Sequence, residues 1–156
     1  MTRSSGLPVG RLAGAFWRFV IRHRSGFPDP EAQRLKGDIL DLGVKGVERV
    51  EAVQVYYVGG KLAEEELQRL GAELLTDPIT QEFSVREIGS LPPVAPGDSR
   101  RSTVEVAYHP GVRDPVEDSL RKGALDLGIA GIRQVHTAKE YTLSGRISSE
   151  DLSRIC

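Results

Sequence analysis

Apolar and polar positions along the chain follow two periods, and the switches between them mark out the elements. Phe16 to His23, FWRFVIRH, is rich in aromatic and β-branched residues and ends in a polar cluster with Gly26, which predicts a strand. After Asp29-Pro30 the apolar positions take helical spacing, with Ala32, Leu35, Ile39 and Leu42 on one face up to Gly43. Val47 to Val58 returns to alternation through Val53, Val55 and Tyr57, a long strand expected to bend near Glu51 and to end in a turn at Gly59-Gly60. Ala63, Leu67, Leu70 and Leu74 trace a second helix, with Glu64, Glu65 and Glu66 in a first turn where the helix dipole favours acids. Asp77-Pro78 breaks it, and Ile79 to Ile88 predicts a third strand. One unit therefore reads β-α-β-α-β.

That unit begins again 85 positions later. Gly26 to Val50 recurs as Gly111 to Val135, and 15 of the 45 positions from Gly26 to Leu70 are identical to their counterparts, where composition alone gives roughly 3. In the second copy Ser102 to His109 is the first strand, Val116, Leu120, Ala124 and Leu127 form the helix face, Ile132 to Leu143 is the long strand and Ser144-Gly145 its turn. The fold class that follows is α+β: two tandem β-α-β-α-β repeats with antiparallel sheets and helices on one face, a fused pseudo-dimer with its second repeat truncated. The expected boundaries are a disordered leader over 1–15, the first repeat over 16–88, a Pro-rich linker over 89–100 and the incomplete repeat over 101–156. The counterparts of Leu75 to Ile88 fall past Cys156. A sheet edge is then left uncovered, which reads as a piece of something longer or as a sheet completed by another chain.

The repeated residues have local physical roles. Asp29 and Asp114 can accept hydrogen bonds from the free amides of a first helical turn, and Pro30 and Pro115 suit a position whose N–H has no partner. Glu117, three residues after Asp114, suggests a capping box that Ala32 denies to the first copy. Gly43 and Gly128 stop the helices where a left-handed backbone is cheap only for glycine, and Gly46 and Gly131 serve the turns that follow.

Composition narrows the function classes. A hydrophobic content of 39%, a charged content of 28% and a net charge of −1 describe a soluble globular chain with no electrostatic footprint for nucleic acid or anionic membrane. No apolar run approaches the roughly 20 residues that span a bilayer. The single cysteine is the last residue, so no internal disulfide forms and a cytoplasmic location is expected. Units of about 70 residues are marginal alone, so the copies are expected to share an interface.

Candidate chemistry is sparse. His23, His109 and His136 lack a partner at metal-ligand spacing, Asp41 and Asp126 fit the exposed side of a helix end, and Gly59-Gly60-Lys61 lacks the spacing of a phosphate loop. Tyr56 and Tyr57 point to opposite faces of a strand and cannot form one stacking platform for bases. Taken alone, these residues describe a non-catalytic module with no cofactor of its own.

The repeated pattern of strand, Gly-x-x-Asp-Pro, a helix ending Leu-x-x-Leu-Asp-Leu-Gly and Gly-Val/Ile-x-x-Val resembles the small PurS-type subunit of phosphoribosylformylglycinamidine synthase. It resembles equally the PurS-like N-terminal region of the larger synthetase chains. Gly26, Asp29, Pro30, Leu40 to Gly43, Gly46, Val47 and Val50 carry it, with Gly111, Asp114, Pro115, Leu125 to Gly128, Gly131, Ile132 and Val135. The resemblance implies a fused pair equivalent to the dimer of the separate subunit, with the synthetase and glutaminase parts of that enzyme as partners and a homodimer as a further option. ATP and magnesium belong to the whole enzyme, and their residues lie in parts absent from this sequence. The family often carries a lysine in the long strand, which Lys139 matches and Gln54 does not, so Lys139, with His136 near it in sequence, is the candidate contact to a partner or substrate. From a different class, a ligand-sensing pair of tandem α+β units predicts contacts near the glycine-rich turns between the copies. A truncated remnant that folds incompletely is the third reading.

Overall fold

The computed structural model describes residues 15–90, 100–109 and 111–155. The expected leader, apart from its last residue, and most of the expected linker lie outside them. The elements are β1 (Phe16–His23), α1 (Pro30–Asp41), β2 (Val47–Gly60), α2 (Glu64–Arg69) running into a π-helical turn (Leu70–Leu75), β3 (Gln81–Glu87), β4 (Arg101–Ala107), α3 (Val116–Asp126), β5 (Ile132–Gly145) and α4 (Ser149–Ile155). A short 3₁₀ turn over Ile88–Ser90 follows β3.

The two repeats build one antiparallel sheet of five strands in the order β3-β1-β2-β5-β4. Its centre is the long ladder between β2 and β5, in which Gln54 pairs with Lys139. Those residues are repeat counterparts. Val53 pairs with Glu140 while their counterparts Ala138 and Val55 pair with each other, so a pseudo-twofold axis passes between Gln54 and Lys139.

The helices lie on one face, and the cores beneath them are interleaved. One cluster joins Phe19, Ile21, Val58, Leu67 and Leu70 of the first repeat to Leu120, Ala124, Ile129, Ile132 and Val135 of the second. The other joins Ala32, Ile39, Val44, Val47 and Val50 to Leu143, with Leu152 and Ile155 of α4 packed against it. Each core thus combines the first helix of one repeat with the second helix of the other. Neither repeat encloses a core by itself, which answers the marginal size of a 70-residue unit.

Both first helices end alike. Gly43 and Gly128 have φ of 78° and 80°; Gly43 N donates to Leu40 O at 2.9 Å and Val44 N to Ile39 O at 3.3 Å, while Gly128 N donates to Leu125 O at 2.9 Å and Ile129 N to Ala124 O at 2.8 Å. This is the Schellman arrangement, closed by apolar contact of Val44 with Ile39 and of Ile129 with Ala124.

Several local expectations are corrected. Gly59-Gly60 and Ser144-Gly145 are strand residues, because the ladder runs through Gly60 and Gly145. The irregularities in β2 fall at Val47/Arg49 and Gly59/Gly60, where glycine permits a shift, and not at Glu51. Leu42, in the last turn of α1, and Val116, in the first turn of α3, are exposed, whereas Ala32 and Leu127 at the opposite ends of the two helices pack against the cores. Ile79 is also exposed, outside β3, and β4 ends at Ala107 before Tyr108 and His109.

Candidate functional site at the pseudo-twofold seam

Asp29 and Asp114 each hold a helix start to the neighbouring strand. Asp29 caps α1, taking Ala32 N at 3.0 Å on Oδ1 and Ala52 N at 3.4 Å on Oδ2. Asp114 takes Val116 N at 2.9 Å on Oδ1, and on Oδ2 both Thr137 N at 2.6 Å and Thr137 Oγ1 at 2.7 Å. Ala52 and Thr137 are repeat counterparts lying just past the last pairs of the β1–β2 and β4–β5 ladders, where no strand carbonyl reaches them, so the carboxylate replaces it. Pro30 opens α1 as expected, while Pro115 occupies the cap position of α3, one residue earlier in the helix. The expected capping box does not form, because Glu117 pairs with Arg121 at 2.6 Å.

The aspartates bring the starts of α1 and α3 towards the axis, where the two halves differ. Glu31 Oε1 accepts from Tyr141 Oη at 2.8 Å and from Lys139 Nζ at 3.1 Å, whereas their counterparts are Val116, Tyr56 and Gln54. Gln54 instead donates to Ala138 O at 2.9 Å. The Tyr141 hydroxyl and the Lys139 ammonium hold the Glu31 carboxyl below its usual range. Burial and the Glu31 carboxylate push Tyr141 up to about 12, and burial together with Asp114 raises Tyr56.

Lys139 and His136 are not brought together. Three positions apart on one strand, they point to opposite faces, Lys139 beside Glu31 on the helix side and His136 on the open side in register with Tyr57. His23 lies 3.9 Å from Asp29, His109 is exposed, and Asp41 and Asp126 are exposed as expected.

The open face carries a network absent from the sequence reading. Val20, Val55, Ala138 and Ala107 align as one apolar row, and Val55 is fully buried although no helix covers it. Side chains from the flanking rows close over it. Arg18 reaches Glu140 at 2.5 Å, Glu105 at 3.5 Å and the Tyr57 hydroxyl at 3.3 Å, and Tyr57 donates to Glu105 at 2.8 Å. Burial opposes the charge on Arg18, but Tyr57 and the two carboxylates outweigh it and raise its pKa. Burial, with Glu105 as acceptor, pushes Tyr57 up to about 12. Four strands of both repeats are tied together by these four side chains.

At the two ends of the β2–β5 ladder glycines of opposite repeats meet. A Cβ at Gly131 would collide with Lys61 O and one at Gly60 with Gly131 O; at the other end Gly46 faces Arg146 O and Gly145 faces Gly46 O. Gly46 and Gly131 thus serve close backbone approach as well as turns. Beside each end lies an open cleft. One, of about 500 Å³, is lined by Phe16, Trp17, Gly60, Leu62 and Arg133; the other, of about 370 Å³, by Glu48, Arg49, Arg101 and Gly145. The clefts are related by the pseudo-twofold axis; the first sets Phe16, Trp17 and Leu62 beside Lys61 and Arg133, and the second is lined mainly by charged residues. The indole Nε1 of Trp17 is buried without a hydrogen-bond partner among the described residues.

No protein-family model matches the chain, and no curated protein does. Among solved structures, the chain is similar to PurS of Methanocaldococcus jannaschii, one of the subunits of formylglycinamide ribonucleotide amidotransferase in the purine biosynthetic pathway. Identity is 18% and the TM-score 0.43, covering 47% of this chain and 94% of that one. It is also similar to PurLQS from Thermotoga maritima, at 23% identity and a TM-score of 0.35, covering 49% of this chain and 100% of that one. Among the described residues no helix is long and apolar enough to cross a membrane. No group of three or more His, Cys, Asp or Glu among them could hold a metal ion.

Proposed function

We propose that this chain is an assembly module of phosphoribosylformylglycinamidine synthase, helping to couple the glutaminase to the ATP-dependent synthetase that aminates formylglycinamide ribonucleotide. One observation carries the reading. The doubled Asp-Pro and Leu-Asp-Leu-Gly motif closes about a single axis, with Gln54 against Lys139, as a covalently fused pair. The motif residues serve as caps, stops and close approaches, which supports a structural role, while ATP and magnesium are handled elsewhere in the enzyme. Lys139 on the helix face and His136 on the open face are the contact residues of this reading. The test is to mix the purified chain with the synthetase and glutaminase parts, with and without glutamine. Co-elution in size exclusion is expected, and separate elution under both conditions removes the proposal.

A second reading, a ligand-sensing tandem module, is favoured by the two clefts at the glycine ends of the central ladder. Trp17, the one tryptophan in the sequence, lines the larger cleft and reports on it directly. Amino acids or nucleotides that bind there change Trp17 fluorescence and release heat in calorimetry; silence in both removes this reading.

A further inference from the structure

The two clefts at the ends of the β2–β5 ladder share one frame and differ in what lines it. Glu48, Arg49, Arg100 and Arg101 of the smaller cleft have Arg133, Gln134, Ala15 and Phe16 as repeat counterparts in the larger one. Of those counterparts only Arg133 is charged. In the smaller cleft the charges satisfy one another, since Arg49 pairs with Glu51 at 2.7 Å and Arg101 reaches the same carboxylate at 3.5 Å. In the larger cleft the cations have no such answer. His136 stands at the repeat position of Glu51, the described lining residues include no acid, and Lys61 and Arg133 make no ion pair among the described residues. Glu87, opposite Trp17 on β3, does not line the cleft.

The wall of the larger cleft is apolar and held in place by the fold. Phe16 is buried, and its ring lies against Gly59, where a Cβ would collide with it. Gly60 N donates to Ala15 O at 3.1 Å and Lys61 N to Gly131 O at 3.1 Å, which fixes the start of β1 and the chain after β2 around the opening. Trp17 and Leu62 pack against the core and still line the cleft. One buried donor here has no partner among the described residues, the indole Nε1 of Trp17. Lys61 and Arg133 are exposed at the rim. An apolar wall with a few polar groups is the usual make-up of a small-molecule site, and about 500 Å³ lies within the usual range of volumes.

We infer that the larger cleft binds a small organic anion, with its anionic oxygens beside Lys61 and Arg133 and its apolar or aromatic body against Phe16, Trp17 and Leu62. The class follows from the charges. Two cations without a counter-ion repel a cationic ligand and attract an anionic one. An inorganic anion leaves the apolar wall in water, and a neutral apolar molecule leaves the cations unanswered; a molecule with one negative group and one apolar body meets both. The smaller cleft, built on the same frame, has its charges already paired and does not take such a ligand. The inference rests on the ligand-sensing reading, to which it adds the class of ligand, and is independent of the synthase reading.

The test uses the whole chain, with phenylpropionate and phenyl phosphate as probes and phenylpropanamide and acetate as controls. Trp17 is the one tryptophan in the sequence, so its fluorescence and its indole N–H resonance report on this cleft and not on the other. Saturable changes are expected with the aromatic anions, and the tighter of the two tells a carboxylate site from a phosphate site. The uncharged amide and the bodiless acetate should each bind at least about tenfold more weakly. Combining Lys61→Gln with Arg133→Gln, both at exposed positions, should keep the thermal unfolding of the parent and weaken binding at least about tenfold. Arg133→Lys should retain binding, and Arg101→Gln in the smaller cleft should leave it unchanged. No saturation by either aromatic anion up to about 10 mM overturns the inference, as does equal binding of the amide or full binding by the double variant. If amino acids or nucleotides shift Trp17 while the aromatic anions do not, the ligand-sensing reading stands and the class assigned here falls; silence towards every compound removes both.

Discussion

Asp29 and Asp114 occupy equivalent positions, yet replacing them with alanine should have very different effects. Asp114 is 3% exposed and satisfies three donors, Val116 N, Thr137 N and Thr137 Oγ1. Loss of the bond from Val116 N, at the start of α3, costs about 1 kcal/mol. The two Thr137 donors, on a buried residue, then lose their acceptor at about 1–3 kcal/mol each, so Asp114→Ala should cost about 3–7 kcal/mol. Asp29 is more accessible and its second contact, to Ala52 N, is long at 3.4 Å; water can replace it, and Asp29→Ala should cost about 1 kcal/mol. A gap of about 2–6 kcal/mol is large against the 5–15 kcal/mol of a typical domain. In urea, at a slope of about 2 kcal/mol per molar, it lowers the midpoint by about 1–3 M relative to Asp29→Ala. Adding Thr137→Val to Asp114→Ala removes one stranded donor, so the double variant should lose less than the sum of the two singles. Equal midpoints for the two alanine variants, within about 0.5 kcal/mol, would refute the argument that the second aspartate replaces a strand while the first mainly caps a helix.

The glycines at the seam give a contrast within one residue type. Gly131→Ala or Gly145→Ala drives a methyl into a carbonyl of the opposite repeat and should lower the melting temperature steeply, whereas Gly37→Ala, inside α1 with nothing within 4 Å, should stabilise by about 0.5–1 kcal/mol; a seam variant that melts like the parent contradicts the packing described. Tyr57 and Tyr141, pushed up to about 12 in the folded chain from about 10 when unfolded, contribute stability that is complete below about pH 10 and is lost as pH rises towards 12. Absorbance titration at 295 nm should show both ionising late, with Glu31→Gln bringing Tyr141 down and leaving Tyr57 in place; ionisation of both near 10 before unfolding would contradict these contacts.

The parts of the fold readable from sequence were those with a local cause. Asp29-Pro30, Gly43 and Gly128 act within one turn of their own position, and the structure places their hydrogen bonds accordingly. The glycines at 60 and 145 were misread because a turn and a close approach of two backbones ask for the same residue, and only the partner strand distinguishes them. That Lys139 and His136 face opposite ways follows from their odd spacing and was available without any structure. The Arg18, Tyr57, Glu105 and Glu140 network was not. Each of those residues reads singly as an exposed strand position, and bringing them together requires the register between β2 and β5, which follows from where the axis falls and not from any local pattern.

The differences at that axis have a further consequence. A dimer of identical subunits meets a partner with two equivalent surfaces, so an asymmetric partner can sit in either of two orientations and every substitution appears twice. Here Glu31 and Lys139 face Val116 and Gln54 across the axis, and Phe16 in the cleft at one end of the seam is answered by Arg101 in the cleft at the other. Any molecule that reads those residues meets one orientation and one stoichiometry, one partner per chain.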